Sequence, residues 1–237
     1  MKKIILLVAA LAGIMFAKSV ELETPPDHKD GVNHLELVLI LDKSGSMSGL
    51  ESDTIGGFNS MIEKERKEGI DASVTTVLFD TKFNVIHNRT PLKKVENLTS
   101  KEYYAGGNTA LLDAVGSTIA RIERVPDIYA KNNRVLFVII TDGMENSSRE
   151  YSKAQIKKMI SDKQEKYDWE FIFLGANIDA ASEAQSIGIK SENALKYENS
   201  KEGVSKNFEA AAEISKDVAT DNKVNSKWRD KVLQDKK

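Results

Sequence analysis

Oxygen-bearing side chains follow apolar, strand-like stretches at two places in the sequence and close a glycine-rich segment at a third. Asp42, Ser44 and Ser46 come directly after the run LELVLIL, Thr109 ends the segment AGGNT, and Asp142 follows RVLFVIIT. Three hydroxyls and two carboxylates, with no His or Cys beside them, form an all-oxygen donor set that suits Mg²⁺ or Mn²⁺ better than Zn²⁺. The spacing Asp-x-Ser-x-Ser is weakly specific by itself, because Ser, Thr and Asp also cap helices. Capping explains any one of these loops easily, and all three together poorly.

The elements that must position these residues alternate between strands and helices. Apolar runs without in-out alternation are typical of parallel strands covered on both faces. We predict strands at Leu35–Leu41, Ala72–Phe79, Lys82–Asn88, Arg134–Ile140, Trp169–Leu174 and Ala194–Tyr197. Helical periodicity appears at Thr109–Val125, Tyr151–Tyr167 and Lys201–Val218.

This order predicts an α/β fold with a doubly wound, Rossmann-like sheet and helices on both faces. The polar turn in FDTKF joins two strand-like runs as a hairpin, so one edge strand of the mostly parallel sheet is expected to be antiparallel. Ligands of such sheets bind beyond the carboxyl ends of the strands. The polar residues described above follow those ends.

Composition excludes several kinds of chemistry. The chain has 237 residues, which is long enough for one α/β domain with a well-buried core. Its formal net charge of -2 gives no general attraction to nucleic acid or to anionic lipid. With Cys 0 there is no disulfide, thiolate metal site or cysteine nucleophile. Any chemistry must therefore come from oxygen and imidazole groups.

The first residues have the three parts of a secretory signal peptide. The basic start MKK precedes the apolar run IILLVAALAGIMF, and AKS supplies a small-x-small cleavage pattern. The apolar run is shorter than the roughly 20 residues that a membrane-spanning helix needs. We therefore expect residues 1–19 to be cleaved, leaving no stable membrane insertion and a periplasmic or extracellular protein. An uncleaved membrane anchor is the alternative.

The remaining chain divides into three parts by composition. Residues 20–33 are polar and contain two adjacent prolines, which indicates a linker. Residues 34–200 carry all the predicted strands and form the expected domain. Residues 201–237 are expected to form a C-terminal helix or helices packed on the domain, because Val224, Trp228 and Val232 recur every four positions.

The three polar loops resemble the metal-ion-dependent adhesion site of the von Willebrand factor A domain family. The matching segments are DKSGS at 42–46, GGNTALLDA around Thr109 and VIITDG around Asp142. The resemblance covers about residues 34–200 and is closest to small bacterial members of the family. It implies the doubly wound fold described above and a site for a divalent cation.

The resemblance also implies a division of roles within that site. Ser44, Ser46 and Thr109 would bind the cation directly or through water, while Asp42 and Asp142 would act mostly through waters and hydrogen bonds to the serines. Mg²⁺ is the expected cation and Mn²⁺ a possible one, whereas Ca²⁺ prefers more ligands, often bidentate carboxylates. Neutral hydroxyl ligands leave the cation most of its charge. An open coordination position would then favour an Asp or Glu of a partner protein.

We therefore expect a non-enzymatic, metal-dependent protein-binding module that serves adhesion or acts as a scaffold. The candidate partner contacts, which flank the proposed ligands, are Met47, Asn108, Met144 and Glu145. Ser48 lies outside the ligand spacing and is expected to cap a helix.

Two alternatives stay open from the sequence. One is a structural domain whose metal only ties loops together, and the other is a Mg²⁺-dependent hydrolase. A phosphatase of the haloacid dehalogenase type needs a second acid two residues after the first, and this chain has Ser44 there. The sequence leaves the identity of the partner and the oligomeric state open.

Overall fold

The computed structural model describes residues 33–176, 178–221, 223–225 and 228–229. The expected signal peptide and nearly all of the expected linker lie outside the described residues. Within the described part of the chain, no helix is both long enough and apolar enough to cross a membrane.

The described residues form one mixed sheet surrounded by helices. The strands are β1 His34–Asp42, β2 Ala72–Phe79, β3 Phe83–Pro91, β4 Asn133–Thr141, β5 Glu170–Ala176 and β6 Ala194–Tyr197. The helices are α1 Glu51–Glu68, α2 Leu111–Ile122, α3 Lys153–Tyr167, α4 Ala180–Ser186 and α5 Lys201–Asp221. The strand order is β3-β2-β1-β4-β5-β6, in which β3 is antiparallel to β2 and the other pairs are parallel. The predicted α/β fold with one antiparallel edge strand is confirmed.

Each central strand supplies apolar side chains to both faces of the sheet. On β1, Leu37 and Leu39 belong to the cluster that includes α1 and α5, whereas Val38 and Ile40 belong to the cluster that includes α2 and α3. All four side chains are fully buried. Burying one such side chain contributes about 1.5–3 kcal/mol. The two covered faces explain why the β1 sequence is a continuous apolar run rather than an alternating one.

The strand order reverses between β1 and β4. The chain leaves β1 for β2 on one side of the sheet and returns to β4 on the other, so a crevice opens at the carboxyl ends of these two neighbours. The residues just beyond β1 and β4 therefore lie next to one another.

Ser48, expected to cap a helix, lies at the end of a 3-10 turn and not at the start of α1. Ser48 closes this single turn, formed by Gly45–Met47, and the residue that precedes α1 is Leu50, which makes no side-chain capping bond. The carboxylate of Glu51 in the first turn of α1 accepts a hydrogen bond from the Gly49 amide at 2.7 Å. An acid in the first turn of α1 thus accepts from a backbone amide that precedes the helix.

The C-terminal residues that the structure describes pack on the same face as α1. Helix α5 lies against α1, and Trp228, beyond the end of α5, is 2% exposed within their shared apolar cluster. Val224 packs at the edge of that cluster. Val232 lies outside the described residues.

Glu65 is a carboxylic acid buried between α1 and α5. It is 1% exposed, and neither of its carboxylate oxygens has a hydrogen-bond partner among the described residues. Burial raises the pKa of Glu65 to about 8. The nearby Ser215 hydroxyl donates to the Ala211 carbonyl oxygen at 2.8 Å, and its effect is to lower the pKa of Glu65 against the larger effect of burial. The folded protein therefore keeps Glu65 protonated at neutral pH.

Glu65→Gln is expected to flatten the pH dependence of the free energy of unfolding between about pH 5 and pH 8. The folded state retains a proton that the unfolded chain releases near the ordinary value of 4.5, so the wild type loses stability as pH rises from there toward about 8. The slope is at most about 1.4 kcal/mol per pH unit. Urea unfolding at a series of pH values measures it. Glu63→Gln, on the exposed side of the same helix, is the control and should keep the wild-type slope.

Candidate metal centre

All five predicted ligands lie at the carboxyl edge of the sheet where β1 and β4 are neighbours. Asp42 is the last residue of β1, and Asp142 directly follows β4. The two strands run in parallel register up to the pair of Leu41 and Ile140. Thr109 lies two residues before α2 and approaches the same edge.

A chain of hydrogen bonds connects the first loop to Asp142. The Ser44 amide donates to Asp42 Oδ1 at 2.7 Å, which turns the backbone sharply after β1. The hydroxyl oxygens of Ser44 and Ser46 are 3.1 Å apart, and Ser46 Oγ donates to Asp142 Oδ1 at 2.5 Å. The two serines are therefore held between the two carboxylates.

Three hydroxyl oxygens face one small space beside Gly143. A methyl group added at Gly143 would lie 3.2 Å from Thr109 Oγ1, 3.4 Å from Ser46 Oγ and 4.0 Å from Ser44 Oγ. In the ranges that the structure describes, no three His, Asp or Glu side chains form a cluster able to hold a metal. A cation at this edge would therefore depend on hydroxyl oxygens, and the donor set fits Mg²⁺ or Mn²⁺.

Asp42 is buried and uses both carboxylate oxygens inside the protein. Thr141 Oγ1 donates to Asp42 Oδ2 at 2.6 Å, and the Ser44 amide occupies Oδ1. Burial raises the pKa of Asp42 to about 6, and these hydrogen bonds offset the rise only in part. Burial also raises the pKa of Asp142. Two neighbouring buried acids of this kind are more stable in their ionised form when a positive charge lies beside them.

Asn146 fixes the backbone on both sides of Thr109. The Thr109 amide donates to Asn146 Oδ1 at 2.9 Å, and the Thr109 carbonyl oxygen accepts from the amides of Asn146 at 3.0 Å and Ser147 at 3.3 Å. The loop that carries Asp142 therefore sets the position of the Thr109 side chain.

An acid of that loop and an acid of α2 each accept hydrogen bonds from backbone amides of the other segment. Glu145, in the loop, accepts from the amides of residues 147 and 148 at 2.9 and 2.8 Å, and from the Leu112 amide of α2 at 3.0 Å. Asp113, in α2, accepts from the amides of residues 149–151 at 2.8, 2.9 and 2.9 Å. Amides at the start of a helix and in a loop otherwise lack acceptors, so this exchange stabilises both segments. Sequence reasoning missed Asp113, although an acid in the first turn of a helix is a recognisable signal.

The four predicted partner contacts have different environments. Met47 is 1% exposed and packs in the α1 and α5 cluster, because the 3-10 turn buries its side chain, so it is not available to a partner. The carboxylate of Glu145 is occupied by the loop's own amides. Asn108 is exposed, and Met144 is 66% exposed. Only these last two present free surface beside the site.

A second set of hydrogen-bonded polar side chains lies at the amino ends of β1 and β2. His34 Nδ1 is 3.2 Å from Asp71 Oδ2, and His34 Nε2 is 3.1 Å from Ser73 Oγ, an order of groups also found in serine hydrolases. Ser73 is 1% exposed, and Glu36, 3.6 Å from His34 Nε2, pairs with the buried Arg89. Because the serine is covered, these groups join strands rather than present a nucleophile.

Solved structures with the same fold come from proteins of low sequence identity. The PilB minor pilin from Streptococcus sanguinis has a TM-score of 0.56 at 15% identity, over 82% of this chain and 63% of that chain. Proximal thread matrix protein 1 from the mussel byssus has a TM-score of 0.54 at 15% identity, over 78% of this chain and 46% of that chain. A von Willebrand factor type A protein from Catenulispora acidiphila has a TM-score of 0.50 at 17% identity, over 78% of this chain and 43% of that chain.

The chain thus has the fold of a von Willebrand factor type A domain. It spans less than two thirds of the length of each of these structures. No protein-family model and no curated protein matches the sequence.

Asp113→Ala is expected to loosen the segment 149–151 without unfolding the domain. The change leaves three amides without their acceptor, so the free energy of unfolding should fall by about 1–3 kcal/mol and these amides should exchange hydrogen faster. Asp162→Ala, which removes an acid paired with Lys166 at the surface of α3, is the control and should cost less than about 0.5 kcal/mol. Unchanged exchange at residues 149–151 would contradict the role assigned to Asp113.

Proposed function

We propose that the protein is a divalent-metal-dependent protein-binding module. Ser44, Ser46 and Thr109 would hold the cation, and Asp42 and Asp142 would orient the hydroxyls and balance part of the charge. The observation that carries the proposal is the space that the three hydroxyl oxygens face in common, within 4.0 Å of a single point. Capping does not account for it, because none of the three is the capping residue of α1 or α2, and Ser44, which precedes the 3-10 turn, makes no side-chain capping bond.

Mg²⁺ is the cation that we propose, and Mn²⁺ has similar requirements. The donors are all oxygen, and carboxylates are few, which suits Ca²⁺ less well. A bound cation would supply a positive charge with a coordination position open to an outside oxygen. The three hydroxyl groups are neutral, so only the two nearby carboxylates offset that charge.

An Asp or Glu of a partner protein is the proposed outside ligand. Support comes from the exposure of the site's surroundings, since Ser46 and Asn108 lie at the surface and Met144 is 66% exposed. A purely structural metal would not need this opening. The similar structures include a minor pilin and a thread matrix protein, so the fold occurs in proteins that are not named as enzymes. We propose no enzymatic activity, because Ser44 stands where a phosphatase of the haloacid dehalogenase type needs its second acid.

Export completes the proposal. It rests on the signal-peptide pattern of residues 1–19, which fits a periplasmic or extracellular adhesion or scaffold protein. The amino terminus of the native protein tests it, because cleavage after Ser19 leaves Val20 first, whereas a membrane-anchored chain keeps its leader.

Ser46→Ala is expected to abolish most of the stabilisation that Mg²⁺ gives in thermal unfolding. A ligand at 100 times its dissociation constant adds about 2.7 kcal/mol to the free energy of unfolding, and loss of one of three hydroxyl donors should remove most of that gain at the same concentration. Ser48→Ala, two residues along the same exposed loop, is the matched control and should keep the wild-type gain.

A second pair of variants tests the space itself. Gly143→Ala puts a methyl group 3.2 Å from Thr109 Oγ1 and should block the cation, whereas Gly56→Ala meets nothing within 4 Å and should not. If all four variants gain as much from Mg²⁺ as the wild type, the cation binds elsewhere and the site assignment is wrong.

Partner binding is expected to require the cation. Immobilised protein should retain its partner from the native source in Mg²⁺ and release it in EDTA, because removal of the cation removes the ligand for the partner's carboxylate. The Ser46→Ala variant should retain little in either buffer, and Ser48→Ala should behave as the wild type. A partner held equally with Mg²⁺ and with EDTA would exclude a metal bridge and leave a structural role for the cation.

A further inference from the structure

Two exposed apolar side chains lie beside the candidate metal centre. In the described part of the chain the exposed large apolar side chains are Met144 at 66%, Tyr104 at 58%, Tyr129 at 44% and Tyr167 at 41%. Tyr129 precedes β4 and Tyr167 precedes β5, so both lie at the amino edge of the sheet. Tyr104 and Met144 lie at the carboxyl edge, where the three hydroxyls converge.

Tyr104 belongs to a segment that is hydrogen-bonded to the first metal loop. Its neighbour Tyr103 is buried and donates its hydroxyl to the Asp42 carbonyl oxygen at 2.5 Å. The Gly106 amide donates to the Lys43 carbonyl oxygen at 2.9 Å, and the Gly45 amide donates to the Gly107 carbonyl oxygen at 3.1 Å. The backbone around Tyr104 is therefore fixed against the loop that carries the two serines.

The Lys43 ammonium packs against the ring of Tyr104. The Lys43 ammonium lies 4.4 Å from the centroid of the Tyr104 ring and is ion-paired with Asp80. Lys43 is only 3% exposed and its charge is balanced by Asp80, whereas Tyr104 is 58% exposed. An aromatic ring held in this way loses little conformational entropy when a partner packs on it.

Met144 lies in the loop after β4, next to the glycine that borders the converging hydroxyls. It directly follows Gly143, whose added methyl group would touch Thr109 Oγ1, and it directly precedes Glu145, whose carboxylate is bound to three backbone amides. The loop is therefore fixed on each side of Met144 while its flexible thioether side chain projects into solvent, and such side chains adapt to different apolar surfaces.

We propose that Tyr104 and Met144 form an apolar rim that selects partners in which a bulky apolar side chain stands next to the metal-binding carboxylate. This inference rests on the proposed function, because the carboxylate must reach the cation for the rim to select its neighbour. Of the nearby acids, Asp80 has its charge balanced by Lys43, and the Glu145 carboxylate is turned toward the amides of its own loop and of α2. Aromatic residues and Met are also enriched in the centres of protein interfaces.

Blocked pentapeptides test the rim with the carboxylate held constant. The probes are Gly-Phe-Glu-Phe-Gly, Gly-Gly-Glu-Gly-Gly and Gly-Phe-Gln-Phe-Gly, titrated in Mg²⁺ into isotope-labelled protein and followed by amide chemical shifts. We expect the first probe to bind at least about tenfold more tightly than either of the others, because it alone presents both the charge and the apolar side chains.

Tyr104→Ala and Met144→Ala should each abolish most of that preference while leaving the Mg²⁺-induced thermal shift unchanged. Tyr129→Ala and Tyr167→Ala, exposed at the opposite edge, are matched controls and should keep the preference.

Equal binding of the two Glu peptides, or an unchanged preference in both rim variants, would overturn the rim and leave the proposed function standing. Equal binding of the Gln and Glu peptides would overturn both the rim and the carboxylate bridge. Failure of every peptide to bind to Mg²⁺-loaded protein would overturn the rim and carboxylate recognition together.

Discussion

The carboxylate of Asp42 is the group on which the candidate site depends. One of its oxygens accepts the Ser44 amide and so turns the chain at the end of β1, and the other accepts the hydroxyl of Thr141 at the end of β4. A single buried side chain therefore ties the first loop to the neighbouring strand. Tyr103 adds a third link through the Asp42 carbonyl oxygen. Leaving one of these groups unpaired at this depth would cost about 1–3 kcal/mol, so each of the partners of Asp42 stabilises the loop.

The same principle holds across the whole carboxyl edge. Loops that follow parallel strands carry amides that no ladder satisfies, and here the side chains of Asn146, Glu145 and Asp113 accept several of them. The hydroxyl groups of Ser44, Ser46 and Thr109 face the space beside Gly143. The loops thus have their shape from internal hydrogen bonds, and a ligand would meet donors that are already in place.

The strands, and the meeting of the five candidate residues at the carboxyl ends of those strands, could be predicted because each follows from local sequence. Apolar runs reveal covered strands, and the polar residues after them lie where a doubly wound sheet must bring strand ends together. The residues that hold the loops could not be found in this way. Asp113 accepts from amides 36 to 38 positions away, and Thr141 donates to Asp42 across 99 positions. Such pairs can be deduced only when the strand order is known. Met47 was assigned to the surface because a single 3-10 turn has no periodicity from which burial can be deduced.

Three adjacent residues of the loop after β4 are under different structural constraints. Gly143 must stay small to keep the space before the hydroxyls, and Glu145 must stay acidic to hold the amides of its own loop and of α2. Met144, between them, touches solvent with 66% of its surface and serves neither requirement. Substitutions at this one position can accumulate with little effect on folding or on the space before the hydroxyls. Divergence at residue 144 among descendants of this gene would then reflect changes of partner, and invariance of its two neighbours would reflect the demands of the domain.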